Sequence, residues 1–492
     1  IANRLSANPN ISVLLLEAGG PDTDPAFRRL DVPALFEIWQ PPYDWGFSTE
    51  EDPGLGGRRM PFLQGKVLGG SSSTNGRIFI RGNRRDFDHW NYLGNEGWSY
   101  KDVLHYFKKF EDYEGGESEY HGVGGPVPIR ELPNPTPAAQ AFVQACVELG
   151  YKGPPWDFNG AVQEGAGMFT QSTTTRQGTR ASTAVAYIHP IRDRRNLTVE
   201  TNAFTTRVLM EGDQAVGVEY IQGGTSHKVG ASSEVIVSAG AFLSPKLLML
   251  SGIGPADHLR SHGVPVVVDL PGVGKNLQDH LIVRLCFASR VPQPVPDIIS
   301  EACLFTYTRG GLEAASPNLQ FFFGGFVFPE VGKGPGFTTC PIVTQPQSVG
   351  SLSLRSNNPL DPPVIRMNYF SSDLDMKVLL HGMALGRELI HARAFDEMRG
   401  EELLPGADVK TEEALRAYIR RGCITDWHPS CSCKMGHDRD AVVDPQLRVH
   451  GVRGLRVADA SIMPRITNCN LNSSCIMIGE KASDLILADQ TS

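Results

Sequence analysis

The 492-residue chain lacks the marks of several protein classes. It has no basic excess: 46 Lys and Arg face 54 Asp and Glu, a formal charge of −8. That balance repels polyanions, so nucleic acid is excluded as a partner. No apolar run approaches the ~20 residues of a membrane-spanning helix, which leaves only peripheral membrane contact open. Internal repeats and low-complexity tracts are absent, and with them solenoids and fibrous arrays. Cysteine is sparse and odd in number, nine in all, without the rhythm of a disulfide-stapled secreted module. Free thiols in a reducing compartment, and so a cytoplasmic location, are expected.

What is present suits a globular protein: 41% hydrophobic and 20% charged residues, in a chain longer than one core usually supports. Two packed domains are the natural expectation. "IANRLSANPN" reads as the end of a helix broken at Asn8-Pro9, and "ISVLLLEAGG" as a buried strand, Ile11 to Leu16, ending in Glu17. A helix, a buried strand and a terminal acid form the second half of a dinucleotide-binding βαβ unit, in which the acid binds ribose. A solvated turn carboxylate is the plainer alternative. The G-x-G-x-x-G turn of the first half is not in this sequence.

"GKVLGGSSSTNGRIFIRG", Gly65 to Gly82, sets small residues ahead of an apolar segment, so backbone N–H groups can come close to a ligand. From Asp86 to Arg195 the pattern is one of amphipathic helices and turns. "TVETNAFTTRVLMEGDQAVGVEYIQ" then alternates like an antiparallel meander. "SEVIVSAGAFLSPKLLMLSGIG" returns to strand, turn at Gly240 and a helical face from Lys246 to Leu250. Nucleotide-type elements therefore recur after an insertion, and the domains interleave. The five phenylalanines of "NLQFFFGGFVF", Asn318 to Phe328, either line a pocket or fill a buried strand, the strand being favoured. "VPQPVPD", Val291 to Asp297, reads as a surface loop or lid.

"DWHPSCSCKMG", Asp426 to Gly436, leaves three readings of His428 open: a zinc ligand with Cys431 and Cys433, a packed core residue, or a catalytic base. Zinc sites take cysteines at C-x₂₋₄-C spacing, which CxC fits poorly.

Four separated segments, "NRLSANPNISVLLLEAGG", "GKVLGGSSSTN", "GAFLSPKLLMLSGIG" and "HPSCSCKMG" with "GLRVADASIMPRITNCNLNSSCIMIGEKASDLI", resemble the glucose–methanol–choline (GMC) flavoprotein oxidoreductases, in the choline and medium-chain alcohol dehydrogenase branch. The resemblance implies an α/β, Rossmann-like FAD-binding domain, residues 1–85, 196–280 and 430–492. It is interleaved with an α+β substrate domain carrying an antiparallel sheet and a lid, residues 86–195 and 281–429. It implies a cofactor site formed by Glu17, Gly65, Val67, Gly69, Gly70, Asn75, Thr205, Ala239, Trp427, Asp459, Ala460, Asn472 and Ser473. It maps the catalytic pair onto His428, the base, and Asn470, the hydrogen-bond donor to an alkoxide, with no metal. Ser473 or Ser474 is expected to cap the last helix, and Trp427 to give an aromatic wall.

The implied activity is FAD-dependent oxidation of a primary alcohol to an aldehyde, with electrons leaving to a quinone, a dye-type acceptor or oxygen. An oxygen-using alcohol oxidase, a lyase and a non-catalytic flavoprotein of the same fold are the alternatives. Three departures bear on this. The sequence begins about three positions beyond the last glycine of the family's phosphate turn, so a weaker hold on FAD is expected. The stretch from His280 to Pro317 is short, and an acid that holds trimethylammonium in choline oxidases is not evident. Thr74 stands where some oxidases carry a flavin-linked histidine, so FAD is expected to be non-covalent.

Overall fold

Unbroken apolar runs and alternating ones build different sheets in this protein. A computed structural model describes residues 1–154, 156–172, 178–311, 314–332 and 334–490. The run Val13–Leu16 forms a parallel strand against Leu197–Glu200, with Val13 opposite Leu197. Val235–Val237 pairs in parallel with Leu455–Val457. Parallel partners need long crossovers, so the start, middle and end of the chain meet in an α/β layer of two separate two-stranded parallel sheets. The helix Gly240–Leu250 begins earlier than its apolar face suggested, from a left-handed Gly240 (φ +83°). Beside this layer Phe204–Glu211, Gln214–Gln222 and Thr225–Gly230 form the antiparallel meander. Leu197–Glu200, expected in that meander, joins the parallel pair instead.

The second body is an eight-stranded antiparallel sheet. Arg399–Leu404, Leu285–Ser289, Gly336–Val343, Leu319–Gly324, Ala302–Thr306 and Gly165–Met168 follow one another, and Leu281–Ile282 joins Gly336–Val343 to Ile424–Thr425. Leu319–Gly324 is buried at every position, which makes the phenylalanine-rich run a strand. Phe321 and Phe323 pack with the main core, whereas Phe322 packs on the other side with Ile78, Ile80 and Cys469, as the two-residue period of a strand demands. The helix Asp373–His391 lies flat on this sheet because two glycines face it. A Cβ on Gly382 would stand 2.5 Å from the Pro341 Cβ, and one on Gly386 3.0 Å from Leu285.

Between Asp86 and Arg195 the expected helices appear as Arg84–Tyr92, Tyr100–Phe110 and Pro137–Glu148, the first two opened by capping boxes at Asn83 and Ser99. The same stretch also holds the strands Glu111–Tyr113, Val127–Arg130, Gly165–Met168 and Thr170–Ser172. These are too short to show a period. Val291 to Asp297 is an irregular, mostly exposed loop. Among the described residues no helix is long and apolar enough to cross a membrane, and all nine cysteines are unpaired.

Candidate functional site

The segment that carries His428 is held by its backbone. The amides of Cys431, Cys433 and Met435 donate to the carbonyls of Ala460, Ser461 and Ile462 at 3.0, 2.8 and 2.7 Å. Pro245 has no N–H to give to the carbonyl of Ala241, four residues back in its helix. The Ser432 hydroxyl donates to that carbonyl instead, at 2.5 Å. Cys431 and Cys433 are fully buried core residues. Among the described residues, the one group with metal-ligand spacing is His280, Asp426 and His428, with no cysteine in it. Trp427 and Cys431 hold left-handed backbone, φ +57° and +73°. Such angles in non-glycine residues cluster at functional sites, and here the turn at Trp427 precedes His428 directly.

His428 and Asn470 meet: the Asn470 amide Nδ2 lies 3.3 Å from His428 Nε2. The other imidazole nitrogen, Nδ1, is 3.0 Å from His280 Nδ1 and 3.4 Å from Asp426 Oδ2. The Asp426 contact is a charge-pair distance without hydrogen-bond alignment, since Oδ2 has no hydrogen-bond partner. The backbone N–H of His428 donates to Asp279 Oδ1 at 2.9 Å, and Tyr369 OH donates to Asp279 Oδ2 at 2.7 Å. Burial, reinforced by the neighbouring His280, pushes the pKa of His428 well below the usual imidazole range. Burial lowers His280 to about 3, raises Asp279 to about 6 and drives Asp426 well above the carboxylate range. The imidazole is thus neutral at physiological pH. A proton kept on Nδ1 leaves the Nε2 lone pair directed at Asn470.

Asn468, two residues before Asn470, is anchored by buried polar groups. Asp86, buried and raised to about 6 by desolvation, accepts from the backbone amides of Asn83 and Asn468 and from the side chains of Ser316 and Gln345. Asn468 Nδ2 also donates to Gln163 Oε1 at 2.7 Å. Sequence reasoning missed His280, Asp426, Asp279 and Asp86. Asp279-His280 does stand directly before the apolar run Leu281 to Val283, but nothing local shows that His280 reaches a residue 148 positions away.

The sequence-predicted cofactor residues fall into three groups. Glu17 follows its strand; Oε1 accepts from the Gly19 amide at 2.7 Å, and burial raises the carboxyl to about 7. Ala203 donates to the Glu17 carbonyl and Gly20 bridges to Val67, so Glu17, Val67 and the strand bearing Thr205 gather at one edge. Gly65 touches the Gly70 backbone, where a Cβ would stand 2.6 Å away. Left-handed Gly69 and Gly70 lead into the short helix Ser71–Thr74, which ends at Asn75. Around Asp459 both carboxylate oxygens are engaged, by Ser461 N at 2.7 Å and by Gly240 N at 2.8 Å with Ser244 Oγ, which joins Ala239 and Ala460 to the same cluster.

The serine cap expected on the last helix, Asn472–Asp489, does not form. Its N-cap is Leu471, without a side-chain cap. Ser473 Oγ is drawn to the Ile80 carbonyl instead, and Ser474 Oγ is buried without a partner. The helix start beside Asn470 therefore keeps uncapped N–H groups and two orphaned oxygens, Ser474 Oγ and Asn470 Oδ1.

A chain of aromatic rings leads away from Trp427, the residue before the histidine. Trp39 and Trp427 lie 5.0 Å apart, Phe36 is 5.4 Å from Trp39, and Phe328 is 6.4 Å from Phe36, all four half-buried. Trp39 Nε1 donates to the Thr74 carbonyl at 2.8 Å, linking this cluster to the glycine–serine loop. A cavity of about 430 Å³ opens elsewhere, beside Arg84, Tyr100, Gln163 and Tyr307, and neither His428 nor Asn470 lines it. The paired chemistry, not cavity size, marks the site.

Family models of GMC oxidoreductases match residues 25–282 and 346–479. The chain is 42% identical over 518 residues to the oxygen-dependent choline dehydrogenase of Brucella suis biovar 1 (strain 1330), covering 99% of this chain and 93% of that protein. It is 43% identical over 521 residues to the protein so named in Pseudomonas fluorescens (strain SBW25), covering 100% and 92%. Its fold is similar to that of pyridoxine 4-oxidase from Mesorbium loti, with a TM-score of 0.92 at 32% identity over 98% of this chain and 96% of that one. A formate oxidase of Aspergillus oryzae RIB40 gives 0.90 at 26% identity over 100% and 96%.

Proposed function

The chain belongs to the GMC oxidoreductase family, and we propose that it oxidises a primary alcohol to an aldehyde with FAD, His428 acting as base and Asn470 as hydrogen-bond donor. The observation that carries this reading is the 3.3 Å approach of Asn470 Nδ2 to the Nε2 of a buried, neutral His428. The donor set fits FAD. Glu17 offers a carboxyl to ribose hydroxyls, nothing crowds Gly70 where a Cβ would stand, so its backbone is open to a ligand, and the uncapped helix start with its orphaned oxygens accepts a polar ring edge. Bound FAD would supply the acceptor for the carbinol hydride.

The chain's own residues prepare the alcohol. A hydroxyl proton passes to His428 Nε2, and the resulting alkoxide accepts a hydrogen bond from Asn470 Nδ2. His280 Nδ1 accepts the proton on His428 Nδ1, which holds the reactive tautomer. The rings of Trp39, Trp427 and Phe36 support an alcohol that carries a quaternary ammonium group, because aromatic faces attract such cations; Phe328 already has the Arg284 guanidinium 5.0 Å over its ring. A choline-like substrate combines both features, and curated relatives at 42% identity are named choline dehydrogenases.

Replacing His428 by Ala should leave FAD binding intact and slow flavin reduction by choline ~10²–10⁴-fold, the reach of acid–base catalysis. Stopped-flow bleaching of the flavin band reads this directly. Unchanged reduction in the variant would remove His428 from the role. Repeating the assay with benzylic alcohols tests the ammonium preference, and turnover with and without oxygen separates oxygen from a dye or quinone as acceptor.

A further inference from the structure

Two buried guanidinium groups, Arg77 and Arg180, flank Asn75 at the end of the glycine–serine loop, each about 4% exposed. Arg180 Nη1 donates to the Asn75 carbonyl at 2.7 Å and to its Oδ1 at 3.0 Å. The Arg77 backbone N–H donates to the same Oδ1 at 3.0 Å. Arg77 also donates to Gln171 Oε1 at 3.2 Å and to the carbonyls of Leu30 and Asp297. Every one of these acceptors is a neutral oxygen. Asp31 and Asp297 raise Arg77 somewhat through space, but neither lies within ion-pair distance of it, and Asp31 is already paired with Arg29 at 2.7 Å.

Arg180 Nε is buried without an acceptor. Burial lowers Arg77 to about 10, and burial with the like charge of Arg77 lowers Arg180 to about 9, so both remain cationic at neutral pH. Arg77 further holds a left-handed backbone, φ +65°, a conformation kept at a cost only where the surroundings impose it.

Buried charges in folded proteins are paired, because an unpaired one costs several kcal/mol. Two adjacent cations with no carboxylate at ion-pair distance among the described residues call for an anion outside the polypeptide. We propose that Arg77 and Arg180 form a buried cationic site whose counter-anion is the reduced, negatively charged form of the cofactor held on the Gly65–Asn75 loop. The inference rests on the FAD reading above. Two fixed positive charges behind the loop favour the anionic state over the neutral oxidised one, so they raise the cofactor's reduction potential. Asn75 fixes their distance from the loop through its bidentate contact with Arg180.

The test uses the FAD-loaded protein. FAD bound to the unaltered protein should have a midpoint potential above that of free FAD and should bind sulfite, a reagent for electron-poor flavin. Arg180→Gln and Arg77→Gln should each weaken sulfite binding by about tenfold or more and lower the potential by ~30 mV for each tenfold change. Arg180→Lys, which keeps the charge, should stay close to the parent. Glutamine variants with unchanged potential and sulfite affinity would overturn the proposal. So would a parent protein with bound FAD at or below the free potential, a measurement that needs no variant. Because neither readout uses an alcohol, failure here is distinct from failure of the His428 assignment.

Discussion

At the residue scale, the surroundings of Thr74 argue against a covalent bond to a flavin. It is buried in the Ser71–Thr74 turn, its hydroxyl is 3.5 Å from the Ser71 carbonyl, and its own carbonyl is engaged by Trp39. A threonine hydroxyl is not ionised near neutral pH and lacks the basic lone pair of an imidazole, so it is a poor nucleophile. We propose that FAD is held reversibly. Acid precipitation should release all the yellow colour into the supernatant, and flavin fluorescence that stays with the denatured band on a gel would refute this. His428 shows the same dependence on surroundings. Its lowered basicity comes from burial and from His280, not from its neighbours in sequence.

At the element scale, the Asp373–His391 helix illustrates how two opposed effects are decided by magnitude. Alanine is about 1 kcal/mol better than glycine inside a helix, which favours Gly382→Ala. Its Cβ would, however, stand 2.5 Å from the Pro341 Cβ and 3.1 Å from a Leu319 methyl, both on strands of the main sheet. Overpacking against a rigid layer costs ~1–3 kcal/mol, and a proline ring has little room to turn aside. The variant should be less stable than the parent by about 1 kcal/mol or more, read as a lower denaturation midpoint in urea. A higher midpoint would show that helix and sheet can separate without penalty.

For the whole molecule, the buried His280 ties stability to pH. Burial holds its folded pKa down to about 3, against 6.5 for an unburied imidazole. Between those values the unfolded chain binds a proton that the folded chain refuses, so stability rises with pH through this window. The contribution is fully present above pH 6.5. It is lost on acidification by up to ~1.4 kcal/mol per pH unit. Asp279, raised to about 6, titrates in the opposite sense between 3.8 and 6, as do Asp86, Asp426 and Glu17, while His428 titrates in the same sense as His280, so the raw acid profile mixes them all. Comparison of the parent with His280→Asn isolates the histidine: the variant should lose less stability between pH 6.5 and 4. Equal slopes would show that His280 is protonated in the folded protein.

Local chemistry fixed a good deal in advance. The apolar run before Glu17, the glycine–serine loop and the Gly240 turn each carry their local structure in a few adjacent residues, and strand, loop and turn stand there. The fold class was legible for the same reason, since strand, turn and helix periods are local. The short strands between Asp86 and Arg195 were not legible, because three or four residues show no period and their partners are remote. The serine cap failed for a related reason: Ser473 found the Ile80 carbonyl, 393 positions away in sequence. Only the tertiary structure could place His280 and Asp426 against His428, or leave Arg77 and Arg180 without an acid at ion-pair distance among the described residues. A side chain's basicity and its unmet partners depend on what burial brings beside it, and burial is decided by the packing of the whole chain.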